Sequence, residues 1–307
     1  MMTVHLKLSN SIPLVLLLAV AVEALSGWPS GGVIVTGSAV QFSRDTWDSS
    51  LANPNATGNY SITGFDITQK WPSQQVDGWK MSVNVTSDIP DSETMNTGNS
   101  TGQTFTGTSI FITGPESIQA SFVDNQTALD DTTWKICVMV IPNGPQDDSQ
   151  TTADNSTCGF VTSQCSTDLQ TAYADKFAED QNCYGTPPTT PSSCADAINT
   201  ANFSVQQLPL DSVNGSEVFV TASGSHDRGN EDAWENAIKQ VWPVLTIWGW
   251  NIRAKAPSDA MPTTQLSCVR ANYVEPGSKS QKSAGSTTRG SAIIVLTIVS
   301  LFADILL

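Results

Sequence analysis

Between residues 32 and 141, apolar positions recur at every second residue in short runs broken by turn residues. The clearest run is 79–85, where Trp79, Met81, Val83 and Val85 alternate with Lys80, Ser82 and Asn84. Successive side chains of an extended chain point to opposite sides, so this run predicts a strand with one buried face and one wetted face, Asn84 lying on the wetted one. Similar runs at 33–36, 39–42, 60–67, 108–113, 118–123 and 134–141 bring the expected strands to seven. That many short strands separated by turns predict a mainly β fold with a β-sandwich-like core.

The pattern changes after residue 141. Pro142, Gly144, Pro145, Asp147 and Asp148 mark 142–157 as a loop. Ser166 is then placed to cap a helix carrying Leu169, Ala172, Tyr173 and Phe177 on one face, and Ser193 to cap a short helix reaching Ile198. Strand character returns at 217–221. Asn230 is placed to cap a helix with Glu231 and Asp232 in its first turn, where carboxylates suit the helix dipole, and Trp234, Ala237, Ile238 and Val241 on its apolar face. Pro243 is expected to end that helix, and 244–250 and 265–273 read as strands. The fold class is therefore α+β: a single β-rich ectodomain over 25–274 with a short helical insert at about 158–200.

The two ends carry a different signal. Residues 14–22 form an apolar run followed by Val22-Glu23-Ala24, the pattern of a secretory signal peptide removed after residue 24 or 26. Near the other end, the small residues Ser283, Ala284 and Gly285 precede a polar spacer and the apolar stretch 292–307. That order matches the signal for a glycosylphosphatidylinositol (GPI) anchor, attached at Ser283 or at Ala284 or Gly285. A helix over 292–307 would span only about 24 Å, against a hydrocarbon core of about 30 Å. The expected organisation is a signal peptide at 1–24, the ectodomain, a flexible stalk at 275–283 and a removed attachment signal at 284–307.

Composition narrows the functional classes. The chain is 39% hydrophobic and 14% charged with a net charge of −15, which permits a core and disfavours phosphate backbones, so nucleic acid is excluded as a partner. Asn-x-Ser/Thr sequons stand at Asn55, Asn59, Asn84, Asn99, Asn125, Asn155, Asn202 and Asn214, each an expected N-glycan site on the surface. Cys137, Cys158, Cys165, Cys183, Cys194 and Cys268 form an even set, expected to pair as disulfides in an oxidising compartment and to hold the helical insert. Spacing leaves the pairings open, but Cys137 and Cys268 both lie in apolar strand-like runs and a bridge between them is expected. No C-x2-C spacing occurs and His226 is the one histidine of the ectodomain, so neither a metal nor another cofactor is expected.

Candidate chemistry is sparse. Residues 98–102 match G-x-S-x-G formally, but a nucleophile elbow needs an apolar strand before it and a helix after it, and 91–97 is polar. His226, between Ser225 and Asp227, is the one imidazole for general-base work, and a polar turn explains it more simply. Asp227, Glu231 and Glu235 could supply a glycosidase-like pair of carboxylates, although capping and solvation also account for them. Asp147, Asp148, Asp154 and Asn155 lack the spacing of a calcium loop. Trp242, Trp248 and Trp250 would share one face of a continuous strand and could form a platform for sugar rings, with Trp248 and Trp250 as the candidate ligand-binding residues. Leu245 and Ile247 on the opposite face favour core packing, with Trp250 the ring more open to solvent.

The combination of leader, Ser/Thr/Asn-rich ectodomain and anchor signal resembles the GPI-anchored surface and cell-wall glycoproteins of filamentous fungi. Trp134-Lys135-Ile136-Cys137-Val138, then Cys158-Gly159-Phe160 and Ser163-Gln164-Cys165 with Asp168-Leu169, are similar to a pattern in secreted ascomycete proteins with no assigned activity. The resemblance implies the outer face of the plasma membrane or the cell wall as location, a membrane held through a GPI lipid, and cell-wall polysaccharide as the partner to test. It carries no catalytic residue. A non-catalytic surface glycoprotein is the expected function, ahead of a glycan-binding module and of an extracellular hydrolase.

Overall fold

The computed structural model describes residues 33–35, 41–95, 102–122, 131–142, 144–146, 156–184, 187–198 and 203–278. Its strands are β1 (Val33–Val35), β2 (Gln41–Ser43), β3 (Ala56–Ser61), β4 (Lys80–Pro90), β5 (Thr104–Thr113), β6 (Trp134–Val140), β7 (Ser204–Gln207), β8 (Ser216–Ala222), β9 (Trp242–Trp250), β10 (Thr263–Val269) and β11 (Tyr273–Val274). The helices are α1 (Arg44–Leu51), α2 (Glu116–Phe122), α3 (Ser163–Asp180) and α4 (Glu231–Lys239). The protein is a mixed α+β fold with two main antiparallel sheets. One has the order β11-β3-β4-β5-β8 and the other β10-β9-β6-β7, with β1 and β2 as a separate pair. Late strands pair with early ones in both: β8 with β5, β11 with β3 and β9 with β6.

Alternation decides what each sheet buries. On β4, Met81, Val83 and Val85 are fully buried while Lys80 is exposed and Ser82 and Asn84 are half-buried, as the period of two requires. These residues join Ile110 and Ile112 of β5 in a hydrophobic cluster with Ile136, Val138 and Val140 of β6 and Val244 and Trp248 of β9. Trp248 is the hub of that cluster. Its ring meets Trp79 edge-on at 4.8 Å, Trp134 edge-on at 6.4 Å and Phe65 at 5.7 Å.

The four-stranded sheet is covered on its other side as well. Every residue of β9 is buried, and Leu245, Ile247 and Trp250 pack with Leu169, Tyr173 and Phe177 of α3 in a second cluster. Trp250 leaves the even-numbered face to join it, lying 4.4 Å from Trp71 and 5.4 Å from Phe177 between ring centroids. Gly249 is what lets the helix approach, because a Cβ there would lie 2.2 Å from the Phe177 ring. Thr162 starts α3 by accepting a hydrogen bond from the Cys165 N–H at 3.1 Å.

Disulfides strap this helix down at both ends. Cys158, ahead of α3, is bonded to Cys268 of β10, and Cys183, just after α3, to Cys137 of β6. Cys165 within α3 is bonded to Cys194. A Cys137–Cys268 bridge is ruled out by the strand order, since β9 lies between β6 and β10. Strands two places apart are separated by about 10 Å, beyond the Cα separation of about 7 Å that a disulfide spans.

Other expectations are corrected in detail. The expected strand at 118–123 is the helix α2, because Ile118 and Phe122 are buried one helical turn apart, a spacing that suits period 3.6 rather than two. Ser166 is inside α3, and Ser193 caps nothing: its hydroxyl donates to Asp168 Oδ2 at 2.6 Å. Helix α4 ends at Lys239, and Pro243 sits as the second residue of β9, its carbonyl accepting from Ile141 N–H at 2.9 Å. Helix α1 was not expected. Ser43 caps it, and Trp47 and Leu51 cover the far side of the five-stranded sheet with Phe42, Ile89, Phe105 and Val220.

Two substitutions probe this packing. Trp248→Ala is expected to cost about 3–5 kcal/mol of unfolding free energy in urea, and a loss within about 0.5 kcal/mol would mean that the hub is dispensable. Gly249→Ala is expected to destabilise by about 1–3 kcal/mol through the clash with Phe177. An unchanged urea midpoint would show that α3 does not press on β9.

Candidate functional site

The inner face of β5 changes character along its length. Ile110 and Ile112 point into the core, but the preceding positions of the same face are Thr108, Thr106 and Thr104, all buried. Thr108 pairs with Thr221 of β8. Where the isoleucines stop, α4 takes over the filling, with Trp234 and Ile238 buried in the core cluster. Between this threonine face and α4 lies a cleft of about 420 Å³, whose lining includes Thr106, Thr108, Thr221, His226, Asn236 and Trp242.

His226 reaches the cleft through an irregularity. Ser223 N–H bonds to the Thr106 carbonyl at 2.9 Å, while the next pairing joins His226 to Thr104 through N–H···O bonds of 2.8 and 2.9 Å. The β8 side thus carries one residue more than the β5 side, as in a β-bulge, and this turns residue 226 to the face where alternation would place 225. The His226 Nδ1 lies 2.9 Å from the Asp227 carbonyl, which can only accept, so Nδ1 carries a proton. In a neutral ring Nε2 then accepts from the Thr106 hydroxyl at 3.1 Å. Thr104 Oγ1 lies 3.2 Å from Nδ1 and donates to the His226 carbonyl at 3.3 Å.

Thr106, His226 and the Asp227 carbonyl form the nearest approach to a nucleophile, base and orienting group in the described residues. The Thr106 hydroxyl is on a side chain only 2% exposed, and a nucleophile must reach its substrate. Asp232 is the one carboxylate among the described lining residues, so the paired carboxylates of glycoside hydrolysis are not assembled there. Asp227 and Glu231 are exposed, and Glu235 is paired with Lys239 at 2.9 Å on α4.

The tryptophan platform is corrected by burial. Trp242, Trp248 and Trp250 are 6%, 1% and 3% exposed, and Trp250, expected to be the open one, is enclosed by Trp71 and Phe177. Neither Trp248 nor Trp250 has a free ring face for a sugar. Of the sequons, Asn59 and Asn214 are exposed and Asn55 and Asn84 half-buried. The Asn55 side chain accepts from Ser87 N–H at 2.8 Å and donates to Ser278 Oγ at 3.3 Å. Asn99, Asn125, Asn155 and Asn202, the 98–102 motif, the Asp147/Asp154 loop, the anchor residues and the apolar runs 14–22 and 292–307 lie in whole or in part outside the described residues. Among the described residues no group of three or more His, Cys, Asp or Glu is placed to hold a metal ion. No described helix is long and apolar enough to cross a membrane.

One buried charge sits away from the cleft. The Glu217 side chain is 4% exposed under α1, and it binds Arg44 at 2.6 Å and accepts from Trp47 Nε1 at 3.2 Å. Burial raises its pKa above the ordinary 4.5, outweighing the hydrogen bonds and the Arg44 charge that favour the carboxylate. Burial works against the Arg44 charge too, but the Asp48 hydrogen bond and the two carboxylates outweigh it and its pKa is raised. Perturbed carboxyls often mark active sites, yet this one clamps a helix to a sheet.

Comparison of the chain with family models, with curated proteins and with solved structures finds no match.

The threonine face and Trp242 were not singled out as a cleft from sequence. The signal was present as Thr104, Thr106 and Thr108 running at period two into Ile110 and Ile112, a stripe that turns from apolar to hydroxyl-bearing along one face. The Glu217 clamp yields a pH test. A carboxyl with a raised folded pKa binds more protons folded than unfolded, so its contribution to stability is full below the ordinary value of 4.5 and is lost as pH rises through the folded value. The melting temperature of the protein is therefore expected to fall relative to that of Glu217→Gln as pH climbs above 4.5. A difference that stays constant with pH contradicts the assignment.

Proposed function

We propose that the protein is a non-catalytic, N-glycosylated surface protein, held on the outer face of the plasma membrane or in the cell wall by a GPI lipid. Its folded part is read as a β-sandwich-like core with a disulfide-held helical insert, and the chain as similar to the anchored surface and cell-wall glycoproteins of filamentous fungi. The observation that carries this reading is the pairing of all six cysteines in three disulfides, with none free. Disulfides of this density persist in oxidising compartments and are rare in reducing ones. The Cys158–Cys268 bridge closes 110 residues, a loop whose constraint is worth about 4–5 kcal/mol in the chain-entropy view. A fold that leans on such a bridge suits secretion.

Two further features support the reading. Asn59 and Asn214 are exposed, as glycan acceptors must be. His226, the one imidazole among the described residues, has both ring nitrogens engaged by the protein itself.

Treatment of intact cells with a phospholipase specific for phosphatidylinositol is expected to release the protein, and bulky residues at 283, 284 and 285 to prevent its attachment. Retention on membranes in a sample whose other anchored proteins are released would contradict the lipid tether. In the released protein, glycopeptide mass spectrometry is expected to find Asn59 and Asn214 occupied. Both found bare would contradict the glycoprotein reading at its most accessible sites.

A further inference from the structure

We propose that the cleft between β5, β8 and α4 binds a small, neutral, polyhydroxylated ligand, a mono- or disaccharide. The volume of about 420 Å³ falls within the range of about 300–1,000 Å³ typical of small-molecule sites. Shape alone would not carry the assignment, but two unmet polar groups do.

Thr221 Oγ1 and Trp242 Nε1 are buried without a hydrogen-bond partner, and both residues line this cleft. A buried polar atom left unpaired destabilises a fold, and valine or phenylalanine in these places would avoid it. Trp234 and Trp248 also have unpaired indole N–H groups, but neither lines the cleft, and their rings serve the core. Neither atom is open to solvent in the unliganded protein, so a ligand seated in the cleft supplies the missing partner once a small side-chain rearrangement uncovers it. Gln240 adds an acceptor: its amide nitrogen is spent on the Gly144 and Val241 carbonyls, both at 2.8 Å, which leaves Oε1 for an incoming donor.

The rest of the lining sets the ligand class. Among the described residues no Lys or Arg lines the cleft and the one lining carboxylate, Asp232, is exposed, so neither an anion nor a strong cation meets a buried counter-charge there. Ala222, Ala233 and Ala237 line the cleft together with the hydroxyl-bearing threonines. A surface of methyl groups set among donors and acceptors matches a sugar ring, which presents C–H faces and vicinal hydroxyls that both donate and accept. Trp242 is held 5.0 Å from Phe219 and is itself buried, so it would recognise the ligand through its N–H rather than by stacking.

The assignment deepens the non-catalytic reading and rests on it for the absence of turnover. The test uses the full chain in detergent, labelled with 15N at its nine tryptophans, the Trp242 indole signal being identified by its loss in Trp242→Phe. The probes are glucose, N-acetylglucosamine and their β-linked disaccharides. At least one is expected to shift the Trp242 N–H resonance saturably at millimolar concentration, with glucuronate and glucosamine binding at least tenfold more weakly. Thr221→Val is expected to weaken that binding at least tenfold while leaving the melting temperature unchanged or raised.

If none of the neutral probes moves the Trp242 signal, or if Thr221→Val binds as the parent does, the site is overturned. Equal binding of the charged sugars would overturn its ligand class. Should Trp242→Phe fail to fold, Thr221→Val carries the test through whichever indole signal the probe shifts. Chromatography of the same samples separates the two readings: a disaccharide split by the protein would refute the non-catalytic one and leave the site standing, whereas absence of binding would do the opposite.

Discussion

The structure depends on burying β9 from both sides. A strand without a wetted face cannot hold its place by alternation, so each side must meet a surface of its own. On one side Trp248 meets the Trp79, Trp134 and Phe65 cluster. On the other, Leu245, Ile247 and Trp250 meet α3. Helix α3 packs closely because residue 249 is glycine. The long middle of the chain has to return across the sheet for this to happen, and two disulfides hold it there.

That arrangement accounts for where the cleft lies. Helix α4 leads directly into β9 and takes its place against the core through Trp234 and Ile238. Beyond those two side chains Thr106 and Thr108 of β5 border a cleft instead of a packed core. Trp242, the first residue of β9, belongs to both regions, lying in the core cluster and lining the cleft. The polar end of one strand and the first residue of another thus form the cleft, while the Glu217–Arg44 clamp does a separate task under α1 on the far side of the five-stranded sheet.

Much of this was legible in the sequence. The alternation at 79–85 predicted β4 and the outward side of Asn84, and Asn230 predicted the start of α4, where its side chain accepts from Ala233 N–H at 2.9 Å. What failed did so for physical reasons. Ile118 to Phe122 is too short an apolar run to separate a strand from a helical turn. Helix α1 has only Trp47 and Leu51 as apolar anchors among polar residues, too few to show a period. The disulfide pairing turned on which strand lies between β6 and β10, a matter of topology that spacing does not encode. The even spacing of Trp242, Trp248 and Trp250 predicts one face of a strand, whereas Trp250 leaves that face at the strand end to pack on α3.

The account stands on a fold that is strapped through oxidised cysteines, and peptide mapping of the unreduced protein from its native source tests that most directly. The expected result is three linked pairs, Cys137–Cys183, Cys158–Cys268 and Cys165–Cys194, with no free thiol. A Cys137–Cys268 peptide would contradict the strand order, and reduced cysteines throughout would contradict the proposal of a secreted, surface-held protein built upon it.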